Sequence, residues 1–116
     1  MIQKAEIMIV EHKEKMRGGN GIIQIRHLFQ KDELGGKCRL IAEITIPVGG
    51  SIGFHQHENE EEIFYFISGE GEVDDNGIRQ KIVPGEAMLT QHLKGHAVYN
   101  TGSQPLVMLG VILLYN

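Results

Sequence analysis

The stretch GGSIGFHQHENEEEIFYFISG, residues 49–69, is the part of this chain that says most about its fold. Side chains alternate between the two faces of a β-strand, so His55 and His57 point one way and Gln56 points the other. Glu62 opens the next apolar run, and an antiparallel return would bring its carboxylate beside the two imidazoles. Two histidines and one carboxylate form a set that binds divalent first-row metals with open positions for another ligand. The stretch therefore predicts a metal site.

The rest of the chain reads as short β-type runs separated by glycine-rich turns. Fifteen glycines and only three prolines suit many tight turns, and no long stretch has a convincing helical period. About ten short strands at regular spacing predict an all-β sandwich or barrel. The predicted strands span residues 5–10, 22–29, 39–46, 53–57, 62–67, 72–74, 78–83, 87–90, 97–100 and 106–114.

Several connections carry signals of their own. Asn76-Gly77 predicts a tight hairpin, because both central residues of that turn need positive φ. The polar connection at residues 30–37 has room for a helical turn. Residues 1–17 look separable, and we expect an arm that pairs along a sheet edge of this chain or of a second one. The run at 106–114 lacks alternation, which is typical of a strand covered on both faces. One cover would be another subunit, so we expect a homodimer.

Composition excludes several classes of protein. A chain of 116 residues fits one domain, and a net charge of −4 without a basic cluster argues against nucleic acid as the main partner. A single cysteine, Cys38, cannot form an internal disulfide and fits a reducing compartment. The chain start lacks the features of a signal peptide, and the longest apolar run is too short to span a bilayer. We expect a cytoplasmic protein without a membrane partner.

A second set of residues downstream completes a pattern that resembles the cupin superfamily. The family's first motif is a glycine, five residues, His-x-His, three or four residues, a glutamate, six residues and a glycine. Gly49, His55, His57, Glu62 and Gly69 fill these places at the expected spacing. The second motif ends in a histidine, three residues and an asparagine, and the matching positions here are His96 and Asn100. It departs from the family because residues 91–95 lack the usual Pro-x-Gly, which leaves His92 as a rival to His96.

The resemblance implies a double-stranded β-helix, a jelly-roll-like cupin barrel, in a single domain spanning residues 1–116 with its motifs in residues 39–115. It makes His55, His57, Glu62 and His96 the ligands of one divalent transition metal, usually Mn, Fe, Ni, Zn or Cu. The short length and the entry into the first motif resemble the small oxalate-decarboxylase-like cupins. Their likeness implies a small anionic molecule as the partner.

The acidic run at residues 58–62 contains a rival ligand, Glu61. Glu62 is preferred because it keeps the six-residue gap to Gly69, and Glu58, Glu60 and Glu61 are then expected to be solvated. Alternation from Glu62 places Phe64 and Phe66 on the same inner face, where they would make the pocket apolar.

Arg26 is an unusual charge inside an apolar run and could clamp a carboxylate substrate, although an outward-facing arginine on an edge strand is an equal alternative. Two functions follow from these residues. One is a metalloenzyme acting on a small carboxylate or related anionic metabolite, of the decarboxylase, dioxygenase or isomerase type. The other is a non-catalytic, metal-dependent binding or sensing module, which the absence of a clear general base favours.

Overall fold

Ten antiparallel strands form two sheets that face each other in a computed structural model covering residues 1–116. The larger sheet has the order β1-β2-β3-β10-β5-β8, and the smaller sheet has the order β4-β9-β6-β7. The strands are β1 (Ile9–Glu14), β2 (Ile22–His27), β3 (Cys38–Ile46), β4 (Ser51–Gln56), β5 (Glu60–Ser68), β6 (Gly71–Asp75), β7 (Ile78–Ile82), β8 (Ala87–Thr90), β9 (Gly95–Asn100) and β10 (Leu106–Leu114). The prediction of an all-β, jelly-roll-like fold is confirmed.

The core lies between the two sheets because one face of each strand is apolar. On β5, residues 60, 62, 64 and 66 are buried while the intervening side chains are half-buried or exposed, and the alternation predicted for Glu62, Phe64 and Phe66 is confirmed. The inner faces bring together fourteen buried apolar side chains: Ile23, Ile25, Ala42, Ile44, Ile46, Ile52, Phe64, Phe66, Val73, Ile82, Met88, Val98, Leu106 and Met108.

Two predicted connections are confirmed. Asn76 and Gly77 join β6 to β7 with φ of 50° and 100°, the conformation that this two-residue hairpin requires. Residues 31–33 form a 3₁₀ turn inside the polar connection before β3, and Gln30 and Glu33 form a capping box there. The chain has no helix that is long and apolar enough to cross a membrane.

The first strand differs from its prediction. A 3₁₀ turn occupies Ala5–Ile7, and the strand runs over Ile9–Glu14 instead of residues 5–10. Every residue of β1 is exposed, so no apolar alternation marks it, and its bounds come from antiparallel pairing with β2. The N-terminal arm therefore pairs with a sheet edge of its own chain.

The last strand also differs in part from its prediction. Only its inner face is buried within this chain, at residues 106, 108, 110 and 112. The outward side chains of Val107, Leu109, Val111 and Leu113 stay partly exposed in the middle of the larger sheet. No element of the same chain covers this outer face.

The segment that follows β1 packs unusually closely against β4. We call residues 15–19 the mouth loop; it contains the 3₁₀ turn Met16–Gly18 and links β1 towards β2. A Cβ atom on Gly19 would lie 2.1 Å from the carbonyl oxygen of Ser51, and one on Gly53 would lie 2.0 Å from the carbonyl oxygen of Arg17. Only glycine permits this approach of the two backbones at either position.

We therefore expect Gly19→Ala to lower the free energy of unfolding by about 1–3 kcal/mol, since the new methyl group overlaps backbone atoms that cannot rotate away. Urea denaturation measures the change. Gly36→Ala is the matched control, because a Cβ atom there has no neighbour within 4 Å, and its effect should stay within about 0.5 kcal/mol. Equal stabilities of the two variants would contradict the close packing of the mouth loop on β4.

Candidate metal centre

Four side chains from both sheets converge in the interior. His55 lies on β4, His96 on β9 and Glu62 on β5, while His57 follows the end of β4. His55 and His96 are direct partners in the pairing of β4 with β9, so their imidazoles start from adjacent backbone positions. One ligand atom from each of the four residues lies within 4.8 Å of the others. The structure thus brings together the set that the sequence predicted.

The donor atoms meet at close range. The Nε2 atom of His96 lies 3.2 Å from the Nε2 atoms of both His55 and His57. The Oε1 atom of Glu62 lies 3.0 Å from His57 Nε2 and 3.1 Å from His96 Nε2. Ligands at about 2.1 Å from one metal ion and at right angles to each other are about 3 Å apart, so the spacing suits a shared ion. The chemistry of the set, three imidazoles and a carboxylate, also fits a divalent transition metal.

The second nitrogen of each imidazole has its own hydrogen-bond acceptor. With Nδ1 as the donor, each ring directs the lone pair of Nε2 toward the centre of the cluster, which is how histidine ligands are usually oriented. The acceptors are the Gly53 carbonyl oxygen for His55 (2.9 Å), Glu60 Oε2 for His57 (2.6 Å) and Thr90 Oγ1 for His96 (2.7 Å).

Glu60 was predicted to be solvated, and this prediction is wrong. Only 9% of the residue is exposed. Its carboxylate accepts two hydrogen bonds from the guanidinium of Arg39, at 2.7 and 2.8 Å, as well as the bond from His57. The signal was present in the sequence, because Glu60 and Glu62 are two residues apart on one strand and must share a face.

Burial and charge set the protonation of the cluster. Burial lowers the pKa of His55 to about 4, and the charges of His96, His57 and Arg17 act in the same direction, so this imidazole is neutral at pH 7. The Arg39 hydrogen bond lowers the pKa of Glu60 to about 2. Burial alone would raise the pKa of Glu62, but hydrogen bonds with His57 and His96 outweigh it and lower that pKa. The carboxylates are therefore ionised, as a cation site requires.

A cavity of about 430 Å³ leads from the ligand cluster to the surface. Its floor includes the rings of His55 and His57 and the carboxylate of Glu62. Phe64 lines it as predicted, and its ring stacks on the imidazole of His96 with centroids 4.9 Å apart. The walls between floor and mouth are apolar and consist of Ile25, Leu40, Ile44, Ile52 and Ile112.

Phe66 and Arg26 do not reach this cavity. Phe66 is completely buried in the core beyond it. Arg26 lies between Val10 and Glu43 on the larger sheet, and alternation along β2 turns it away from the face on which Ile25 lines the cavity. Arg26 is therefore an outward-facing arginine, which was the alternative interpretation, and it does not clamp a carboxylate in this cavity.

Lysine and arginine side chains other than Arg26 line the mouth of the cavity. They come from β1 and the mouth loop, together with Arg39 from β3. The residues of β1 carry no periodic signal because that strand is exposed throughout, and the glycine-rich sequence after Arg17 indicates an anion site less strongly than a plain turn. The charged residues of the lining outside the ligand cluster are Glu11, Lys13, Glu14, Lys15, Arg17 and Arg39.

His92, the rival for the fourth ligand, lies outside the cluster. Its Nδ1 atom accepts a hydrogen bond from the Asn59 backbone at 2.9 Å, and its ring lies beside Tyr115. Leu93 adopts a φ of 64° in the turn that replaces the usual Pro-x-Gly. This turn still delivers His96 to its place opposite His55.

This fold and this set of ligands define a small metal-binding β-barrel protein of the cupin type. The family model described as a cupin domain matches residues 42–112, and the chain belongs to the cupin family. A protein from Thermotoga maritima named "Oxalate-binding protein" is 38% identical over 114 residues, which cover 98% of this chain and 94% of that protein.

Solved structures agree with this assignment. A crystal structure from Thermotoga maritima, described as that of a predicted oxalate decarboxylase, is 38% identical, has a TM-score of 0.93 and matches 98% of this chain and 99% of its own. A polyketide cyclase from Streptomyces resistomycificus has a TM-score of 0.76 at 19% identity, with coverage of 100% of this chain and 81% of its own. At that identity the likeness concerns the fold alone.

The ligand cluster makes the role of Glu60 testable. We expect Glu60→Gln to weaken the binding of one divalent metal ion about 10–100-fold, because the variant loses the charged acceptor that orients His57. Competition with a chromophoric chelator measures the affinity for Zn²⁺ and Ni²⁺. Glu61→Gln removes the same charge from the neighbouring residue, which bonds to Tyr115 outside the cluster, and should bind metal like the wild type. Equal affinities of the two variants would exclude a role for Glu60 in metal binding.

Proposed function

We propose that this chain holds one divalent transition metal at His55, His57, Glu62 and His96 and binds a small carboxylate beside it. The observation that carries the proposal is the position of the ligand cluster, at the floor of a cavity whose mouth is rich in cations. A bound metal would supply Lewis-acid and template chemistry to an anionic oxygen ligand. Four protein ligands leave two positions of a six-coordinate ion for that ligand.

The charges around the cavity favour an anion. Glu62 belongs to the ligand cluster, and Arg39 is already neutralised by Glu60. Glu11 contacts the imidazole of His27. The remaining cations of the mouth are Lys13, Lys15 and Arg17, which outnumber the two carboxylates of Glu11 and Glu14. A concave site with an excess of positive charge raises the local concentration of anions.

The size of the cavity and the name of a similar protein narrow the class of ligand. A volume of about 430 Å³ with apolar walls suits a small organic acid. The 38% identical relative from Thermotoga maritima is named for binding oxalate. We therefore propose that the ligand is a small dicarboxylate such as oxalate.

Binding without turnover is the function that the geometry supports better. The buried carboxylates near the cluster, Glu60 and Glu62, are both engaged with histidines, and Glu60 also with Arg39. No unpaired buried acid or base is left to exchange a proton with a substrate. Turnover of the decarboxylase, dioxygenase or isomerase type remains the second candidate, supported by the likeness to a structure described as a predicted oxalate decarboxylase.

The experiment combines metal loading with ligand binding. We expect one equivalent of Mn, Fe, Ni, Zn or Cu per chain by elemental analysis, and oxalate binding by calorimetry only to the metal-loaded protein. Glu62→Gln should lose both metal and oxalate, since it removes the only charged ligand of the cluster. A wild-type protein that holds no metal after reconstitution with each ion would overturn the proposal. Consumption of oxalate by the loaded protein, followed by chromatography, would replace the binding function with the enzymatic one.

We further propose that the outer face of the larger sheet pairs with a second copy of this chain. Apolar side chains on β5 and β10, including Tyr65 at 46% exposure, meet water there. The buried Nε atom of Arg26 on the same face has no hydrogen-bond partner in the chain, so an acceptor from a second copy would satisfy it.

We expect sedimentation analysis to show a dimer of the wild type. Tyr65→Lys should convert it to a monomer by placing a charge on that apolar face. Ile78→Lys is the control, because Ile78 is 64% exposed on the smaller sheet, and this variant should stay dimeric. A monomeric wild type at micromolar concentration would refute the pairing.

A further inference from the structure

We infer that Arg17 is the residue that recognises the carboxylate ligand, and that the mouth loop exists to hold its guanidinium over the metal centre. This inference rests on the proposed function and names the specificity-determining residue of the same site. Arg17 lines the cavity that contains His55, His57 and Glu62. It belongs to neither cupin motif of this sequence, both of which lie downstream of residue 48.

The backbone of Arg17 is anchored to the strand that carries a metal ligand. Its carbonyl oxygen packs against Gly53, two residues before His55 on β4, at a distance that excludes any Cβ atom. Gly19 makes the equivalent contact with Ser51 on the same strand. Backbone hydrogen bonds from Gly18 to Lys15 and from Gly19 to Met16, both 3.0 Å, close the loop between these contacts. The position of Arg17 relative to His55 is therefore fixed by backbone packing.

The guanidinium of Arg17 is uncommitted. No carboxylate of the chain lies within 4.0 Å of it, in contrast to Arg39, whose guanidinium is saturated by Glu60. Arg17 lies in the turn Met16–Gly18, and its backbone packs against β4, the strand that carries His55. Lys13 lies on the exposed strand β1 instead.

The chemistry of the side chain suits the ligand class. A guanidinium presents parallel N–H donors that match the two oxygens of a carboxylate, whereas an ammonium acts as a point charge. A dicarboxylate that gave one oxygen of each carboxylate to a metal would keep one metal-free oxygen on each carboxylate, and the adjacent N–H donors of a guanidinium could bind both. A monocarboxylate such as acetate would keep at most one metal-free oxygen at the same metal. Arg17 therefore selects dicarboxylates over monocarboxylates.

The experiment titrates oxalate and acetate into the Mn²⁺-loaded protein by calorimetry at constant ionic strength. We expect Arg17→Gln to weaken oxalate binding at least tenfold and to change acetate binding less than threefold, with one Mn²⁺ per chain retained by elemental analysis. Arg17→Lys should recover part of the loss because it restores the charge without the paired donors. Lys31→Gln, which removes an exposed charge outside the cavity lining, should change the oxalate affinity less than threefold.

The outcomes separate this inference from the function on which it rests. A loaded wild type that does not bind oxalate overturns the proposed ligand class and the inference together. Tight binding to the wild type and to Arg17→Gln alike overturns only the role of Arg17, as does an equal loss in Lys31→Gln. Because Arg17 is exposed, the variant should keep the wild-type urea midpoint; if it does not, Arg17→Lys carries the comparison.

Discussion

The convergence of three imidazoles and a carboxylate between two sheets is the constraint on which this structure depends. Lone pairs of four residues meet within 4.8 Å at the floor of the cavity, where His57, Glu62 and His96 are buried and His55 is half-buried. Such a set repels itself unless a cation or shared protons compensate it, and a buried carboxylate is costly without a partner. The barrel must therefore hold β4, β5 and β9 in one register, because a slip by one residue would turn a ligand to the opposite face.

A second layer of polar contacts makes this convergence stable. Every imidazole donates its Nδ1 hydrogen to a fixed acceptor, and these hydrogen bonds keep the rings directed at the centre of the cluster. The chain of charges from Arg39 through Glu60 to His57 neutralises an acidic pair that would otherwise carry two negative charges on one strand face. The same contacts engage both buried carboxylates of the site, so they set its charge as well as its stability.

The mouth and the floor of the cavity are held in place by different interactions. The floor is built on strand interiors, where pairing and packing hold each side chain in place. The mouth is built from an exposed edge strand and a loop whose position comes from two backbone contacts at Gly19 and Gly53. The ligand cluster can thus stay constant while substitutions change the loop at the mouth, as in other scaffolds that carry variable loops on a rigid core.

Much of the fold and of the metal centre was predictable, because both depend on the alternation of side chains between the two faces of a β-strand. Alternation placed His55 with His57 and Glu62 with Phe64, and the structure agrees on each of these positions. Glu60 follows the same alternation, but the run of acidic residues around it is typical of a solvated turn, and the sequence therefore predicts an exposed side chain there. The bounds of β1 could not be predicted, since a strand exposed on both faces carries no apolar pattern.

By itself, the sequence determined the all-β architecture and the hairpin at Asn76-Gly77, because these depend on local turn chemistry and on which face each side chain occupies. The resemblance to the cupin motifs supplied the four candidate metal ligands that the structure brings together. Only the tertiary structure decided that Arg39 supports the site, that Arg17 and not Arg26 lies at the cavity, and that Phe66 belongs to the core. The physical reason is that these outcomes depend on strand order and on contacts between distant segments, which a periodic pattern along one strand does not encode.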